Sequence, residues 1–302
     1  MEGTAAAWGA ARRAASQRRP KSGTRRRLER FLGDALIRVA LVVFVLWTLA
    51  PVAWMVVSSL LNQTALTSVP PDLSPAQFTL DNYRGVLTTG GSLIPAFRNS
   101  LIISFLTTGI ALTLGSAAAY AIARLGVPGG DKIALLALAT QMFPGIVIII
   151  PLFIVLSRLG LIDTYAGLVV VYLSFVLPIV IWVLKGFFES IPPELEKAAA
   201  IDGASTWQTF TRIVLPISLP PLFATGIFAF IESWNEFMFA IILTRLHTKT
   251  VPIAISEFAG QYQTAVGQMV AAAALASVPV ILLAMIFRRY ILMGFAEGAI
   301  KG

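Results

Sequence analysis

Two acidic side chains and an amide interrupt an apolar run and are the first candidates for chemistry. Glu232, Asn235 and Glu236 are spaced three and four residues apart, which places them on one face of an α-helix. An ionisable residue inside a membrane span normally faces protein or water, because burial in lipid costs a few kcal/mol or more. This face is expected to line a substrate path, with Trp234 or Phe237 available for stacking, or to make polar contacts within or between chains.

The same two carboxylates would also suit other classes of protein. Intramembrane acids couple transport to protons in secondary transporters, so proton-coupled transport through Glu232 and Glu236 is the alternative function. A membrane enzyme is less favoured, because no nucleophile or metal-binding constellation accompanies the acid pair. The chain has no cysteine and a single histidine, His247, which excludes thiolate zinc sites, iron–sulfur clusters and multi-histidine metal sites. No metal site is expected.

A second polar segment, 188–216, has a pattern of its own. A Pro-Pro-Glu sequence ending at Glu194 is typical of a helix start, and Gly203 is typical of a helix end. A Ser-x-x-Gln capping box beginning at Ser205 predicts a second helix, which Pro216 is expected to end. The sequence therefore predicts a helix, a glycine turn and another helix.

This predicted hairpin has two interpretations. Its basic residues would allow it to rest on lipid as an interfacial helix. A compact hairpin with a sharp central turn, however, is better suited to docking in a groove of a soluble partner, and we favour docking. The residues expected at the docking contact surround the turn: Glu194, Glu196, Lys197, Ala198, Ala199, Asp202, Gly203, Trp207 and Pro216.

The elements that must position these residues follow from composition. Of 302 residues, 57% are apolar and 13% are charged, and the mean hydropathy is +0.81. The charged share is about half that of a soluble domain, which excludes soluble and disordered classes and predicts an all-α polytopic membrane protein. Apolar runs of about 20 residues predict transmembrane helices. Six such runs lie at about 36–60, 100–123, 133–156, 166–184, 220–243 and 269–287.

Basic residues are distributed unevenly about these six spans. With the N-terminus inside, eighteen of the 23 Lys and Arg residues lie on the internal side, so both termini are predicted to be cytoplasmic. Residues 1–34 are expected to be a basic tail without a fixed fold, able to contact lipid headgroups. The orientation of the protein in the membrane accounts for the basic residues of this tail, so no nucleic-acid partner is expected. The membrane domain, 35–302, would then have external loops at 61–98 and 244–268.

Several motifs resemble those of ABC importer permeases. The run Lys197-Ala198-Ala199-x-x-Asp202-Gly203-Ala204, followed by Ile213-x-Leu215-Pro216, resembles the EAA loop of that family. Lys197 stands where the family most often has glutamate, and Glu196 precedes it. Other segments are similar to the carbohydrate branch, the membrane subunits of the maltose-transporter type. They are Asp81-Asn82-Tyr83, Arg98-Asn99-Ser100, Ala119-Tyr120-Ala121-Ile122-Ala123-Arg124, Leu159-Gly160-Leu161-Ile162-Asp163-Thr164, Ser233-Trp234-Asn235-Glu236-Phe237 and Gly298-Ala299-Ile300-Lys301-Gly302.

The resemblance implies a type I importer-like fold and a permease subunit in a prokaryotic cell membrane. Such a subunit forms half of the path for a sugar of the oligosaccharide or disaccharide class. Three kinds of partner are implied: an ATPase subunit dimer that binds ATP and Mg²⁺, a similar but distinct second permease, and an extracytoplasmic sugar-binding protein. This chain has no G-x-x-x-x-G-K-[ST] phosphate loop, so neither a cofactor nor enzymatic activity of its own is expected.

Overall fold

The computed structural model describes residues 23–88, 93–260 and 265–299, with side chains described between 31 and 290 in those ranges. Most of the predicted basic tail and the last residues of the Gly298–Gly302 motif lie outside the described residues. The chain divides into two units, the first ending at Met55 and the second beginning at Val56. In the first unit, helix α1 begins at Gly23, so residues 23–34 of the predicted tail are helical.

The described residues are predominantly helical, with short connections. The helices of the first half are α1 (Gly23–Ser59), α2 (Gln63–Thr67), α3 (Asp81–Thr88), α4 (Leu93–Arg124), α5 (Gly130–Ala139) and α6 (Gly145–Arg158). Those of the second half are α7 (Tyr165–Ser190), α8 (Pro193–Ile201), α9 (Thr206–Thr209), α10 (Leu215–Ile217), α11 (Leu219–Asn235), α12 (Ala240–Leu243), α13 (Val251–Ser256) and α14 (Val266–Ala299).

Four of the described helices, α1, α4, α7 and α14, are long and apolar enough to cross a membrane as single helices. Two further spans are broken. The segments Gly130–Met142 and Gly145–Arg158 meet at 99°, and Thr206–Ile217 meets Leu219–Asn235 at 78°. The described part of the chain therefore has up to six spans, as the hydropathy predicts, but the third and fifth are not single straight helices.

The break in the third span corrects the prediction of a continuous helix over 133–156. Phe143 and Pro144 both have extended backbone conformations, with ψ of 129° and 122°. A proline disfavours the α conformation in the residue before it, because its ring crowds that residue's backbone. The helix therefore stops at Met142 and restarts at Gly145 in a new direction.

The fifth span also ends earlier than predicted. Helix α11 stops at Asn235, and Glu236 has an extended backbone with ψ of 125°. The Glu236 carboxylate accepts hydrogen bonds from the backbone N–H groups of Phe239 (2.8 Å) and Ala240 (3.0 Å). Capping the next short helix competes with continuing the first. The prediction that Glu232, Asn235 and Glu236 share one face of one helix is therefore wrong for Glu236.

Buried apolar side chains hold the helices of the second unit together in three clusters. The first joins α4, α7, α11 and the 188–217 region through Tyr120, Val180, Phe188 and Phe210. Gly115 permits the close approach of α4 and α7, since a Cβ there would lie 2.6 Å from Val180 Cγ1. Small residues at such contacts let membrane helices pack closely.

Candidate functional site

The hairpin, defined here as Pro193–Ile217, has the predicted helix–glycine–helix form. Helix α8 ends at Ile201, and Gly203 has φ of +81°, a left-handed conformation that glycine adopts without penalty. Ser205 Oγ accepts from the Gln208 N–H, while Gln208 Oε1 accepts from the Ser205 N–H. This capping box confirms the predicted start of the second helix.

The second half of the hairpin is longer and less regular than predicted. After α9, residues Phe210–Val214 form a π-helix, and α10 continues to Ile217. Pro216 therefore lies in the last turn rather than ending the helix. Ser218, with φ of −87° and ψ of 8°, marks the bend into α11.

The residues predicted to contact a partner fall into two groups in the structure. Most of them are solvent-exposed, and the Trp207 side chain is 67% exposed. Ala199 is buried at 5% exposure, and the Glu196 side chain is only 20% exposed. The exposed group forms one candidate docking surface: Glu194, Lys197, Ala198, Asp202, Gly203, Trp207 and Pro216.

Glu196 turns inward and binds the end of helix α4. Its Oε1 lies 2.9 Å from Arg124 Nε in an ion pair that is not an aligned hydrogen bond. The Tyr120 hydroxyl donates to Glu196 Oε2 at 3.0 Å. The Arg124 guanidinium also donates to the carbonyl of Ile191. Sequence reasoning placed Glu196 on the outer contact surface, and the structure instead gives it partners within the chain.

Where the third span breaks and helix α11 ends at Asn235, a cavity of about 260 Å³ opens between the helices. Gln141, Glu232 and Glu236 line it together with Tyr172 and aromatic side chains of α7 and the 236–239 turn. The Tyr172 residue is 1% exposed and its hydroxyl has no aligned hydrogen-bond partner. Non-helical backbone is tolerated at membrane depth where it lines a cavity or is buried in protein.

The other predicted path residues have different surroundings. Trp234 is 2% exposed, its indole N–H donates to the Ala276 carbonyl at 3.2 Å, and its ring stacks on Phe230. It is therefore a core residue and not available for stacking on a ligand. Asn235 and Phe237 are exposed. Among the described residues, no group of three His, Asp or Glu side chains is placed to hold a metal ion.

Asp163, to which sequence reasoning assigned no role, lies just before helix α7, at the end of the second unit opposite the hairpin. Its side chain holds a loop at that end. Its carboxylate accepts hydrogen bonds of 3.0–3.2 Å from the four consecutive N–H groups of residues 245–248. Thr248 Oγ1 adds another at 2.9 Å. Burial alone would raise the pKa of Asp163, but these donors hold its pKa well below the usual range. The left-handed φ of 57° at this non-glycine residue is the local signal of an unusual role.

The same loop is held by the Arg98-Asn99-Ser100 motif. Asn99 Nδ2 donates to the carbonyls of His247 and Lys249, both at 2.9 Å, and Asn99 Oδ1 accepts from the Tyr165 hydroxyl. Ser100 Oγ accepts from the Val251 N–H at 2.8 Å. Together with Asp163, these side chains fix the 244–251 loop, which we call the latched loop.

A comparison with protein families accounts for this combination of elements. Residues 111–293 match the model described as the binding-protein-dependent transport system inner membrane component. The chain belongs to this family. Its members are the permease subunits of ABC transporters, and the match covers both the cavity and the hairpin.

Curated permeases resemble this one over nearly their whole length. The trehalose transport system permease protein SugB of Mycobacterium tuberculosis is 39% identical over 259 residues, which cover 85% of this chain and 93% of SugB. The trehalose/maltose transport system permease protein MalG of Thermococcus litoralis is 36% identical over 277 residues, or 91% of this chain and 99% of MalG.

A solved structure shares the fold of this permease. It is the crystal structure of a bacterial ABC transporter involved in the import of the acidic polysaccharide alginate, with a TM-score of 0.72 and 22% identity. The match covers 87% of this chain and 98% of that one. The permease therefore has the type I ABC importer fold.

Proposed function

We propose that this permease is the membrane-spanning subunit of an ATP-driven sugar importer in a prokaryotic cell membrane. Its relatives SugB and MalG are named for the transport of trehalose and of trehalose and maltose. Similarity over nearly the full length of both supports a sugar of the oligosaccharide or disaccharide class. The chain has no phosphate-loop motif, so a separate ATPase dimer supplies ATP and Mg²⁺ chemistry.

The hairpin is the element that couples this ATPase to the spans. The observation that carries this proposal is its geometry: two short helices around a left-handed glycine present an exposed tryptophan and three exposed charged side chains. A rigid amphipathic element of this kind suits a groove on a partner. The excess of basic residues on the hairpin side supports a cytoplasmic position for the hairpin and for both termini.

The opposite end of the permease faces the extracytoplasmic sugar-binding protein. The latched loop is held in one conformation by Asp163 and Asn99, while Arg245, Leu246 and His247 are exposed, Leu246 at 85%. An ordered loop with exposed side chains loses little entropy on binding. A second permease subunit, similar to this chain but distinct from it, completes the translocation path.

The cavity between the two broken spans is this subunit's part of the path. Glu232, Gln141 and Glu236 supply polar groups between the break in the third span and the end of helix α11. Secondary transporters commonly place substrate groups at discontinuous helices, and we infer the same use of the break in the third span here. Asn235 and Phe237 lie next to this cavity in sequence and are exposed, so they face the path or the second permease.

Uptake into proteoliposomes tests this function. The permease is purified with its accompanying subunits, and uptake of labelled trehalose and maltose is measured with ATP or with a proton gradient. We expect uptake that requires ATP, the ATPase subunits and the binding protein. Uptake by this chain alone, driven by a proton gradient, would instead establish the secondary-transporter alternative.

A further inference from the structure

The hairpin is joined to its two neighbouring spans by non-helical joints. Between α7 and α8, Ile191 and Pro192 have extended backbones with ψ of 130° and 127°. At the other end, Ser218 separates segments that differ in direction by 78°. Rigid elements rotate about such interruptions. The main chain alone therefore does not force the spans to follow a displacement of the hairpin.

Side chains from α4 provide a connection across the first joint. The Arg124 guanidinium bonds the Ile191 carbonyl in the joint and pairs with the Glu196 carboxylate on α8. Tyr120, one turn earlier on α4, donates to the other oxygen of the same carboxylate. Both oxygens of Glu196 are thus engaged by α4, a helix that is not adjacent to the hairpin in sequence.

The surroundings of this connection make it stiff. The Arg124 and Glu196 side chains are 14% and 20% exposed, so water and salt screen the pair only weakly. The Tyr120 ring lies 4.8 Å from Phe210 and 6.2 Å from Phe188. These rings belong to a buried cluster that includes α7 and the second half of the hairpin. Close-packed interiors of this kind transmit displacement.

We propose that Arg124 and Glu196 are positioning residues that hold the hairpin against α4, so that α4 moves with the hairpin during the transport cycle. We call this Arg124–Glu196 connection the pin. The inference rests on the proposed coupling function and adds a third span to the two attached through the main chain. It also divides two neighbouring residues by role. Glu196 connects the hairpin inward, whereas the exposed Lys197 faces the ATPase subunit.

Charge reversal in the reconstituted transporter tests the pin. The variants are Arg124→Glu, Glu196→Arg and the two combined, and the readout is labelled sugar transported per ATP hydrolysed. Coupling free energies typically correspond to roughly 5–150-fold effects, so we expect each single variant to lower this ratio by about fivefold or more. The combined variant restores the pair with opposite polarity and recovers most of the ratio. Tyr120→Phe, which keeps the ring, gives a smaller loss.

A second ion pair, at the end of α7 next to the hairpin, supplies the matched control for charge reversal. Asp131 pairs with Lys185 at 2.9 Å, but the Asp131 side chain is 81% exposed, and Lys185, itself 13% exposed, keeps Glu189 as a partner at 2.7 Å. The exposed Asp131 carboxylate is expected to contribute little. Asp131→Arg is therefore expected to leave the ratio unchanged. If the charge reversals do not assemble, Arg124→Gln, Glu196→Gln and their combination replace them, and a combined loss no larger than one single loss supports the pin.

The pin is overturned if the single variants assemble and transport with the wild-type ratio. It is also overturned if their losses are additive and the combined variant shows no recovery. A failure of the proposed function has a different signature, because the wild-type complex would then show no ATP-driven sugar uptake. In that case, thermal stability replaces transport as the readout. The pin is then overturned if the combined variant loses as much stability as the two single variants added together.

Discussion

Replacing the glycine at the centre of the hairpin is the sharpest perturbation of the proposed coupling element. Gly203 has φ of +81°, and a Cβ built there meets no atom within 4 Å. Within the permease itself, Gly203→Val therefore acts through the backbone rather than through a clash at Cβ. The left-handed conformation costs an L-residue about 1–2 kcal/mol. A cost of that size lowers the population of the native turn by roughly 5–30-fold.

Gly186 provides a matched control for this substitution. It also has no atom within 4 Å of a built Cβ, but it lies within α7 and does not have a positive φ. Gly186→Val is therefore expected to be tolerated. Gly203→Asn adds a polar side chain, yet asparagine tolerates the left-handed region better than valine. We expect function to fall in the order wild type, Gly203→Asn, Gly203→Val.

The assay has two readouts on the purified complex. Co-purification of the ATPase subunit reports assembly, and stimulation of ATP hydrolysis by sugar-loaded binding protein reports coupling. We expect Gly203→Val to reduce one or both, while Gly186→Val matches wild type. Normal assembly and normal stimulated hydrolysis in Gly203→Val would refute the argument that the left-handed turn shapes the docking surface.

Three further predictions concern other parts of the permease. Asp163→Asn removes the negative charge that fixes the latched loop and replaces one of its two acceptor oxygens with an NH2 donor; it should lower stability by about 1–3 kcal/mol, measured by thermal unfolding in detergent. The pKa of Asp163 is held below its usual range, so this contribution is fully present above the unfolded pKa of about 3.9. It is lost progressively as the pH falls from there through the folded pKa, and constant stability down to strong acid would contradict it. Glu232→Gln should lower sugar uptake by about tenfold, the scale of one hydrogen bond to a charged group, with normal thermal stability; a loss of stability with normal uptake would mean that Glu232 is structural. Gly167→Ala places a Cβ 2.1 Å from the Leu161 carbonyl oxygen and should destabilise by about 1–3 kcal/mol, whereas Gly109→Ala, which meets no atom within 4 Å, should be neutral.

Local signals in the sequence were sufficient to predict the helix–glycine–helix form of the hairpin. The glycine turn and the Ser205 capping box depend on residues within one or two turns of each other, and both are present. Hydropathy likewise located the spans, because the bilayer imposes a length on every crossing. The inward direction of Glu196 was beyond such reasoning, since its Tyr120 partner lies 76 residues earlier in the chain.

The region around the fifth span shows why the remaining site residues were harder to predict. Helical spacing put Glu236 on a face with Glu232, but the carboxylate of Glu236 caps a new helix and ends the old one. The residue type of Trp234 predicted ligand stacking, yet α14 and Phe230 enclose it. Asp163 lies in one of the motifs that resemble the family, but the motif did not give its contacts, because its donors are supplied by a loop more than eighty residues away.

The absence of cysteine from the sequence permits a direct test of the proposed role of the hairpin. Lys197→Cys and Leu246→Cys each introduce a unique thiol, the first on the hairpin and the second on the latched loop. In the assembled transporter, we predict that Cys at 197 crosslinks to the ATPase subunit and is labelled only from the cytoplasmic side, while Cys at 246 is labelled only from outside. Labelling of position 197 from outside, or its crosslinking to the binding protein, would contradict the assignment of the hairpin as the coupling element.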